Sequence, residues 1–223
     1  MRTLLRPLVA EFIGTFALTF VGGAAIMMSQ QLGGSLLGVA FAHGLTLAVM
    51  VTAFMRISGH FNPAVTLGLV ATRRLSAMAA AQYVVAQVIG AVAAAFLLKT
   101  AFPAALVEAT RAGGQAISID VTGAHAFLLE AVATFFLVTA VFATAVDPKG
   151  PKVGGFAIGL TVTVNILAIG GLTGASMNPA RSFGPAVAMG NFEAQLIYWL
   201  APITGGVLAA LVYDTLFLRG DDA

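Results

Sequence analysis

The sequence lacks cysteine and carries little charge, since Asp, Glu, Lys and Arg make up only 9% of its 223 residues. Without cysteine, disulfides and thiolate metal sites are excluded. Soluble domains have about 25% charged residues, so this chain is too poor in charge to cover a water-exposed surface. The formal net charge is only +2, and the basic residues stand singly or in pairs. We therefore expect no nucleic-acid partner.

Apolar side chains are abundant instead, at 59% of the residues, and the mean hydropathy is +0.97. A helix needs about 20 apolar residues to cross a bilayer, and six blocks reach that length. We therefore predict an all-α membrane protein that forms a single transmembrane domain over residues 1–223. The six predicted spans are 8–29, 36–57, 77–101, 124–146, 154–172 and 194–218.

The basic residues predict the orientation of these spans. Lys and Arg are enriched in cytoplasmic loops, and most of them fall on one side if all six blocks cross. Both termini are therefore predicted to be cytoplasmic, in a multi-pass protein of the cell membrane. Lys99 and Arg111 fall on the other side, with Glu108 and Asp120. The predicted cytoplasmic set is Arg2, Arg6, Arg56, Arg73, Arg74, Lys149, Lys152 and Arg219.

Two copies of Asn-Pro-Ala stand between spans, as Asn62-Pro63-Ala64 and as Asn178-Pro179-Ala180. Asn is a favoured residue for capping a helix N-terminus, Pro fits the first helical position, and Ala is the best helix former. The apolar runs that follow, 64–71 and 183–189, are too short to span a bilayer. One such copy often marks only a turn, but the placement of the pair predicts two half-helices.

An internal repeat explains this placement. Glu11 and Glu130 stand 119 residues apart in matching segments, and Asn62 and Asn178 stand 116 apart. Each half, approximately 1–103 and 120–219, contains three spans, so the two halves are predicted to insert in opposite directions. Inverted repeats place interrupted helices at the membrane midplane. Small residues at four-residue spacing, which allow close helix contact, recur in both halves, at Ala86, Gly90 and Ala94 and at Ala201, Gly205 and Ala209.

The meeting point of two half-helices suggests a pore. Non-helical backbone at membrane depth is tolerated where it lines a wet cavity, and each helix N-terminus carries about half a positive charge. Such a pore offers hydrogen-bond donors to a neutral solute and repels cations. A secondary transporter is an alternative, since inverted repeats with broken helices also build those. A structural or junction-forming membrane protein is another. No motif of an enzyme or of a cofactor or metal site is present.

These motifs resemble those of the aquaporin (major intrinsic protein) family over essentially the whole chain. The resemblance implies a right-handed bundle of six spans and two half-helices. It also implies passive, single-file water conduction that excludes protons and ions, and a homotetramer with one pore per subunit. The residues that carry it are 11–16, 57–66, Glu130 and 177–187.

The resemblance also implies a narrow selectivity filter at His43, Ile166, Ala175 and Arg181. A charged residue within the membrane layer, such as Arg181, is usually functional. Orthodox water channels have Phe and His at the first two filter positions. The His and Ile found here are similar to plant tonoplast-type members, some of which are implied to pass ammonia.

One residue beside the filter separates two branches of the family. Ser182 stands where glycerol facilitators usually carry Asp. Serine at this position favours the water-selective branch. A broader facilitator of glycerol, urea or hydrogen peroxide is the alternative.

Three further residues are predicted to support the pore. Glu11 and Glu130 are intramembrane carboxylates, which by default suggest an ion path. Their symmetric placement favours a structural role, in which each accepts hydrogen bonds from the loop behind a half-helix. His60 precedes the first Asn-Pro-Ala, and only Gly59 separates it from Ser58. Family members commonly have two small residues there, so the direction of His60 stays open.

Overall fold

The computed structural model describes residues 2–218, and helices form most of this region. No strand occurs between residues 2 and 218. The helices are α1 (Arg2–Leu32), α2 (Leu36–Phe54), α3 (Pro63–Ala71), α4 (Ala77–Ala101), α5 (Ala104–Ala109), α6 (Gly123–Val141), α7 (Gly154–Thr173), α8 (Pro179–Met189) and α9 (Gln195–Tyr213). Six of them are long and apolar enough to cross a membrane. The prediction of an all-α membrane fold is confirmed.

The predicted spans differ from the helices mainly at their ends. The first helix, α1, covers residues 2–32, beyond the predicted 8–29 on both sides. The predicted fourth and sixth spans include single π-helical turns that follow α6 and α9, at Phe142–Val146 and Asp214–Leu218. Helix α5 was not predicted, because six residues are too few for a periodic pattern. Met1 and residues 219–223 lie outside the described residues. Arg219, both ends of the predicted domain, the start of the first repeat and the end of the second repeat therefore lie outside the described residues.

The two half-helices begin at the predicted residues. Asn62 and Asn178 have extended backbone, with φ of −159° and −150°, and each caps the helix that follows it. The side-chain oxygen of Asn62 accepts from the Ala64 N–H at 2.8 Å. That of Asn178 accepts from the N–H groups of Ala180 and Arg181 at 3.1 and 3.2 Å. The prolines occupy the first helical turn, where no hydrogen bond is lost.

The helices pack in pairs that repeat between the two halves. Helix α1 lies against α4, α6 against α9, and α2 against α7, while α3 packs on α9 and α8 on α4. Glycine allows the closest approaches. A Cβ atom at Gly90 would lie 2.5 Å from the Phe12 carbonyl oxygen, and one at Gly205 would lie 1.9 Å from that of Ala131. The small residues predicted for α4 and α9 therefore mark the contacts with α1 and α6.

A charged side chain also ties down the C-terminal end of each half-helix. The Lys99 ammonium donates to the carbonyl oxygen of Ala188, near the end of α8, at 2.5 Å. Arg74, just beyond α3, donates to the Asp214 carboxylate at 2.7 Å. Positions 99 and 214 are 115 residues apart, as are Tyr83 and Tyr198. Each half-helix is thus attached at its end to the third span of the other half.

The glycine contact gives a test of this packing. We expect Gly205→Ala to destabilise the protein by about 1–3 kcal/mol, because the added methyl group forces α9 away from the Ala131 carbonyl. The measurement is thermal unfolding of detergent-purified protein, followed by tryptophan fluorescence. Gly38→Ala is the matched control, since a Cβ atom there has nothing within 4 Å. Equal melting temperatures for the two variants would contradict the assigned contact.

Candidate functional site

A buried carboxylate lies behind the loop that leads into α8. Glu130 of α6 is fully buried and accepts three hydrogen bonds from this loop. The Thr173 hydroxyl donates to it at 2.7 Å, and the N–H groups of Ser176 and Met177 donate at 2.8 Å each. The carboxylate thus satisfies backbone donors for which lipid offers no acceptor.

Glu11 of α1 does the same for the loop that leads into α3, with one donor more. The Ser58 hydroxyl donates to its carboxylate in a short contact. The N–H groups of His60 and Phe61 follow at 2.9 and 2.7 Å. The fourth donor is the side-chain amide of Gln87, from α4, at 2.6 Å. The first loop is therefore held in the same way as the second, although it is one residue shorter.

The two asparagines connect the half-helices reciprocally. The side-chain amide of Asn62 donates to the Met177 carbonyl oxygen at 2.8 Å. That of Asn178 donates to the Phe61 carbonyl oxygen, also at 2.8 Å. Because each amide nitrogen has two hydrogens, each asparagine retains one N–H for a further acceptor.

Phe61 and Met177 have strained backbone. Their φ angles are +49° and +50°, in the left-handed region that side chains other than glycine rarely adopt. In each residue the N–H is bound by a glutamate and the carbonyl by an asparagine of the other half. Such conformations persist only where surrounding contacts enforce them. These four hydrogen bonds enforce the left-handed backbone of both residues.

Arg181 and His43 lie together toward the side of the bundle where α1 ends and α2 begins, which is the outer side in the predicted orientation. The imidazole Nε2 of His43 is 2.9 Å from Nη2 of Arg181, and its Nδ1 is 2.8 Å from the Val39 carbonyl oxygen. A carbonyl only accepts, so Nδ1 carries the proton and Nε2 accepts from the arginine. Gly22 makes room for this ring, since a Cβ there would lie 2.2 Å from Nε2.

The arginine is buried, with 2% of its surface exposed. Its Nε and Nη1 atoms have no hydrogen-bond partner within the described part of the chain. The guanidinium therefore has N–H groups that no protein acceptor among these residues satisfies.

A central cavity brings the predicted site residues together. Both asparagines, all four predicted filter residues and His60 contribute to its wall, whereas the two glutamates lie behind it. Much of the remaining wall is apolar. The lining consists of Leu18, His43, Leu47, Gly59, His60, Asn62, Val65, Leu137, Val141, Ile158, Val162, Ile166, Ala175, Ser176, Met177, Asn178 and Arg181.

Two wider cavities adjoin the central one at opposite ends. The outer cavity shares His43 and Ile166 with it. The inner cavity shares Gly59, His60, Val141 and Ile158 with it. The three cavities therefore lie in a row, and each shares wall residues with the next. Within residues 2–218, no group of three His, Asp or Glu residues could hold a metal ion.

Sequence reasoning missed several polar residues of this network. Ser58 and Thr173 were detectable, because they stand 115 residues apart and precede equivalent loops. Gln87 and Asn165 have no such signal. The Asn165 amide donates to the Ala133 carbonyl oxygen at 2.8 Å and lies 3.2 Å from the sulfur of Met177, so it supports the residue before Asn178.

Comparison with known proteins identifies the family. A family model described as "Major intrinsic protein" matches residues 1–213. The chain belongs to this family. Aquaporin TIP4-4 of Zea mays is 46% identical over 224 residues, which cover 96% of this chain and 87% of the relative. Aquaporin TIP2-1 of Arabidopsis thaliana is 40% identical over 229 residues, which cover 98% and 90%.

A solved structure supports the fold. The aquaglyceroporin from Plasmodium falciparum superimposes with a TM-score of 0.86 at 23% identity, over 99% of this chain and all of that one. At this identity the likeness shows the fold alone, and it confirms the aquaporin-like bundle. Family membership makes the chain an integral multi-pass membrane channel and not an enzyme. The TIP relatives confirm the likeness to the tonoplast-type branch.

The carboxylate contacts predict the effect of a single substitution. We expect Glu130→Gln to lower the stability by about 1–3 kcal/mol, because the new amide group places hydrogens against backbone donors that then lack an acceptor. Thermal unfolding in detergent measures the loss. Glu108→Gln, at an exposed residue, is the control. An unchanged melting temperature for Glu130→Gln would show that the carboxylate does not hold the loop.

Proposed function

We propose that the chain is a passive water channel, in which water moves in single file along the three adjoining cavities. The observation that carries this proposal is the central cavity, where Asn62, Asn178 and Arg181 all reach the wall. Each of them keeps N–H groups for which the described residues offer no acceptor. These donors replace hydrogen bonds that a water molecule loses when it enters a narrow pore, and the apolar part of the wall offers none.

The same geometry supports exclusion of cations and protons. The N-termini of α3 and α8 meet at the asparagines, and each brings about half a positive charge to the centre of the membrane. Arg181 adds a full charge on the outer side. A cation in the pore would meet this field without enough acceptors to replace its water shell. A water molecule that accepts from both asparagines is oriented with its oxygen toward them.

We propose His43, Ile166, Ala175 and Arg181 as the selectivity filter, with ammonia as a second permeant. The side chains of Ile166 and Ala175 give the solute no hydrogen-bonding group, and Nε2 of His43 is already used by Arg181. Among its side chains, the filter therefore offers mainly the guanidinium donors of the arginine. Ammonia, like water, presents a lone pair to such donors, whereas ammonium has none.

The contacts argue against a carrier. A secondary transporter opens alternately to the two sides, which requires rocking of one repeat against the other. Here the two halves are joined at the centre by the reciprocal bonds of Asn62 and Asn178. A closed junction-forming protein is opposed by the adjoining cavities. A broader facilitator of glycerol, urea or hydrogen peroxide is the alternative that flux measurements separate.

We also propose that the single domain consists of inverted repeats, approximately 1–103 and 120–219. The equivalent contacts of Glu11 and Glu130 support this division. A homotetramer with one pore per subunit is proposed from the family resemblance. The sequence alone suggested the cell membrane, whereas relatives of the TIP type favour a vacuolar membrane. Cytoplasmic termini agree with either.

Stopped-flow light scattering on proteoliposomes tests the water channel. We expect fast osmotic water flux with little glycerol flux for the wild type. Asn178→Asp should reduce the water flux about tenfold, the effect of a barrier raised by about 1.4 kcal/mol, because an oxygen then faces the Phe61 carbonyl. Asn191→Asp adds the same charge outside the central cavity and is the control. Absence of water flux from folded wild-type protein would overturn the proposal.

The filter assignment predicts a change in selectivity. The double variant His43→Phe with Ile166→His restores the orthodox pair, so we expect the ratio of ammonia to water flux to fall severalfold. Ammonia entry is followed by an internal pH dye in the same proteoliposomes. Wild-type ammonia flux no greater than that of empty liposomes would remove ammonia as a permeant.

A further inference from the structure

His60 lies on the wall between the central and the inner cavity, and it contributes to both. Its ring packs beside Tyr83, with 5.2 Å between ring centres. Its Nδ1 atom is 3.1 Å from the hydroxyl oxygen of Thr66, in α3. The other ring nitrogen, Nε2, has no protein hydrogen bond among the contacts of the described residues.

The Thr66 hydroxyl has three hydrogen-bonding neighbours, and it can make only a limited number of hydrogen bonds. It lies 3.0 Å from the Asn62 carbonyl oxygen and 3.0 Å from the Gln87 amide nitrogen, besides His60. A hydroxyl has one hydrogen and two lone pairs. Because the carbonyl only accepts, the hydroxyl donates to Asn62, and its two lone pairs accept from Gln87 and from Nδ1 of His60.

The orientation of the Gln87 amide is fixed by Glu11. The nitrogen lies 2.6 Å from the buried carboxylate of Glu11, where a rotated amide would place oxygen against oxygen. Amide orientations are assigned from such networks. Both hydrogens of the nitrogen are then used, one by Glu11 and one by Thr66. Gln87 is itself fully buried, so water does not compete for them.

The Asn62 contact favours the same assignment for the imidazole. If Thr66 instead donated its only hydrogen to Nδ1, the 3.0 Å contact between the Thr66 hydroxyl and the Asn62 carbonyl oxygen would contain no hydrogen.

We propose that Glu11, Gln87 and Thr66 hold His60 in the tautomer with the proton on Nδ1, so that Nε2 is a hydrogen-bond acceptor at the inner end of the pore. Gln87 and Thr66 are positioning residues, and His60 is the residue that meets the solute. The contact between His60 and a solute rests on the proposed water channel. The wall then carries donors at the filter and the centre and an acceptor at the inner end.

The second half of the chain has no equivalent of this arrangement. The positions that match His60 and Gln87 are Ser176 and Pro202, at 116 and 115 residues further along. Neither offers a ring nitrogen or an amide donor. A ring-nitrogen acceptor therefore exists in the first half alone among these equivalent positions, and it distinguishes the two ends of an otherwise repeated pore wall.

Nitrogen NMR of histidine-labelled protein in liposomes tests the tautomer directly. The chain has only three histidines, His43, His60 and His125, and His60→Gln identifies the signals of the second. At neutral pH we expect the His60 Nδ1 signal in the protonated region and Nε2 in the unprotonated region. Thr66→Val removes the acceptor and should shift the His60 proton toward Nε2. The His43 signals, held by Val39 and Arg181, should not move.

Thr19→Val is the matched control, because Thr19 is a buried threonine of α1 whose hydroxyl has no partner within the described residues. It should leave the His60 signals unchanged. A wild-type His60 protonated on Nε2 would overturn the proposal, as would a Thr66→Val spectrum identical to that of the wild type. If Thr66→Val does not fold, Gln87→Met replaces it, with the same expected direction.

Water flux through the same liposomes separates this proposal from the proposed function. A wild-type protein with the expected tautomer and no flux would overturn the water channel and leave the tautomer assigned. Flux together with the other tautomer would leave the channel and overturn the assignment.

Discussion

A helix that stops in the middle of a bilayer leaves backbone groups without partners, and the rest of this structure depends on how they are satisfied. Lipid offers no acceptor at that depth for the free N–H groups. Two buried carboxylates, Glu11 and Glu130, accept from the loops, and Asn62 and Asn178 cap the helices. These contacts fix the positions of the loops and asparagines that line the pore.

The same contacts divide the pore wall into two kinds of surface. Side chains that serve the loops and half-helix starts reach the cavity on one side, and aliphatic residues such as Leu47, Val162 and Ile158 cover much of the rest. A solute therefore meets few hydrogen-bonding groups, each at a fixed place. Arg181 is fixed in the same manner, through His43 and through the cap that Asn178 provides.

The sequence was sufficient to predict the six spans and the starts of both half-helices, because hydropathy and capping are local properties. The candidate filter came from resemblance, since nothing in the residues themselves distinguishes Ile166 or Ala175 from packing residues. Gln87 was missed because its partner Glu11 is 76 residues away, and no periodicity connects such positions. The π-helical turns after α6 and α9 were hidden inside apolar blocks whose length alone cannot separate them from regular helix.

The strained residues Phe61 and Met177 have a consequence for biosynthesis. Each carbonyl is bound by the asparagine of the other half. During synthesis, the first half of the chain emerges from the ribosome before the second half exists. Until then, Phe61 lacks one of the two bonds that hold its backbone, and Asn62 has no Met177 carbonyl to bind. The first half-helix therefore reaches its final state only when the second arrives, and the two halves complete their folding as one cooperative event.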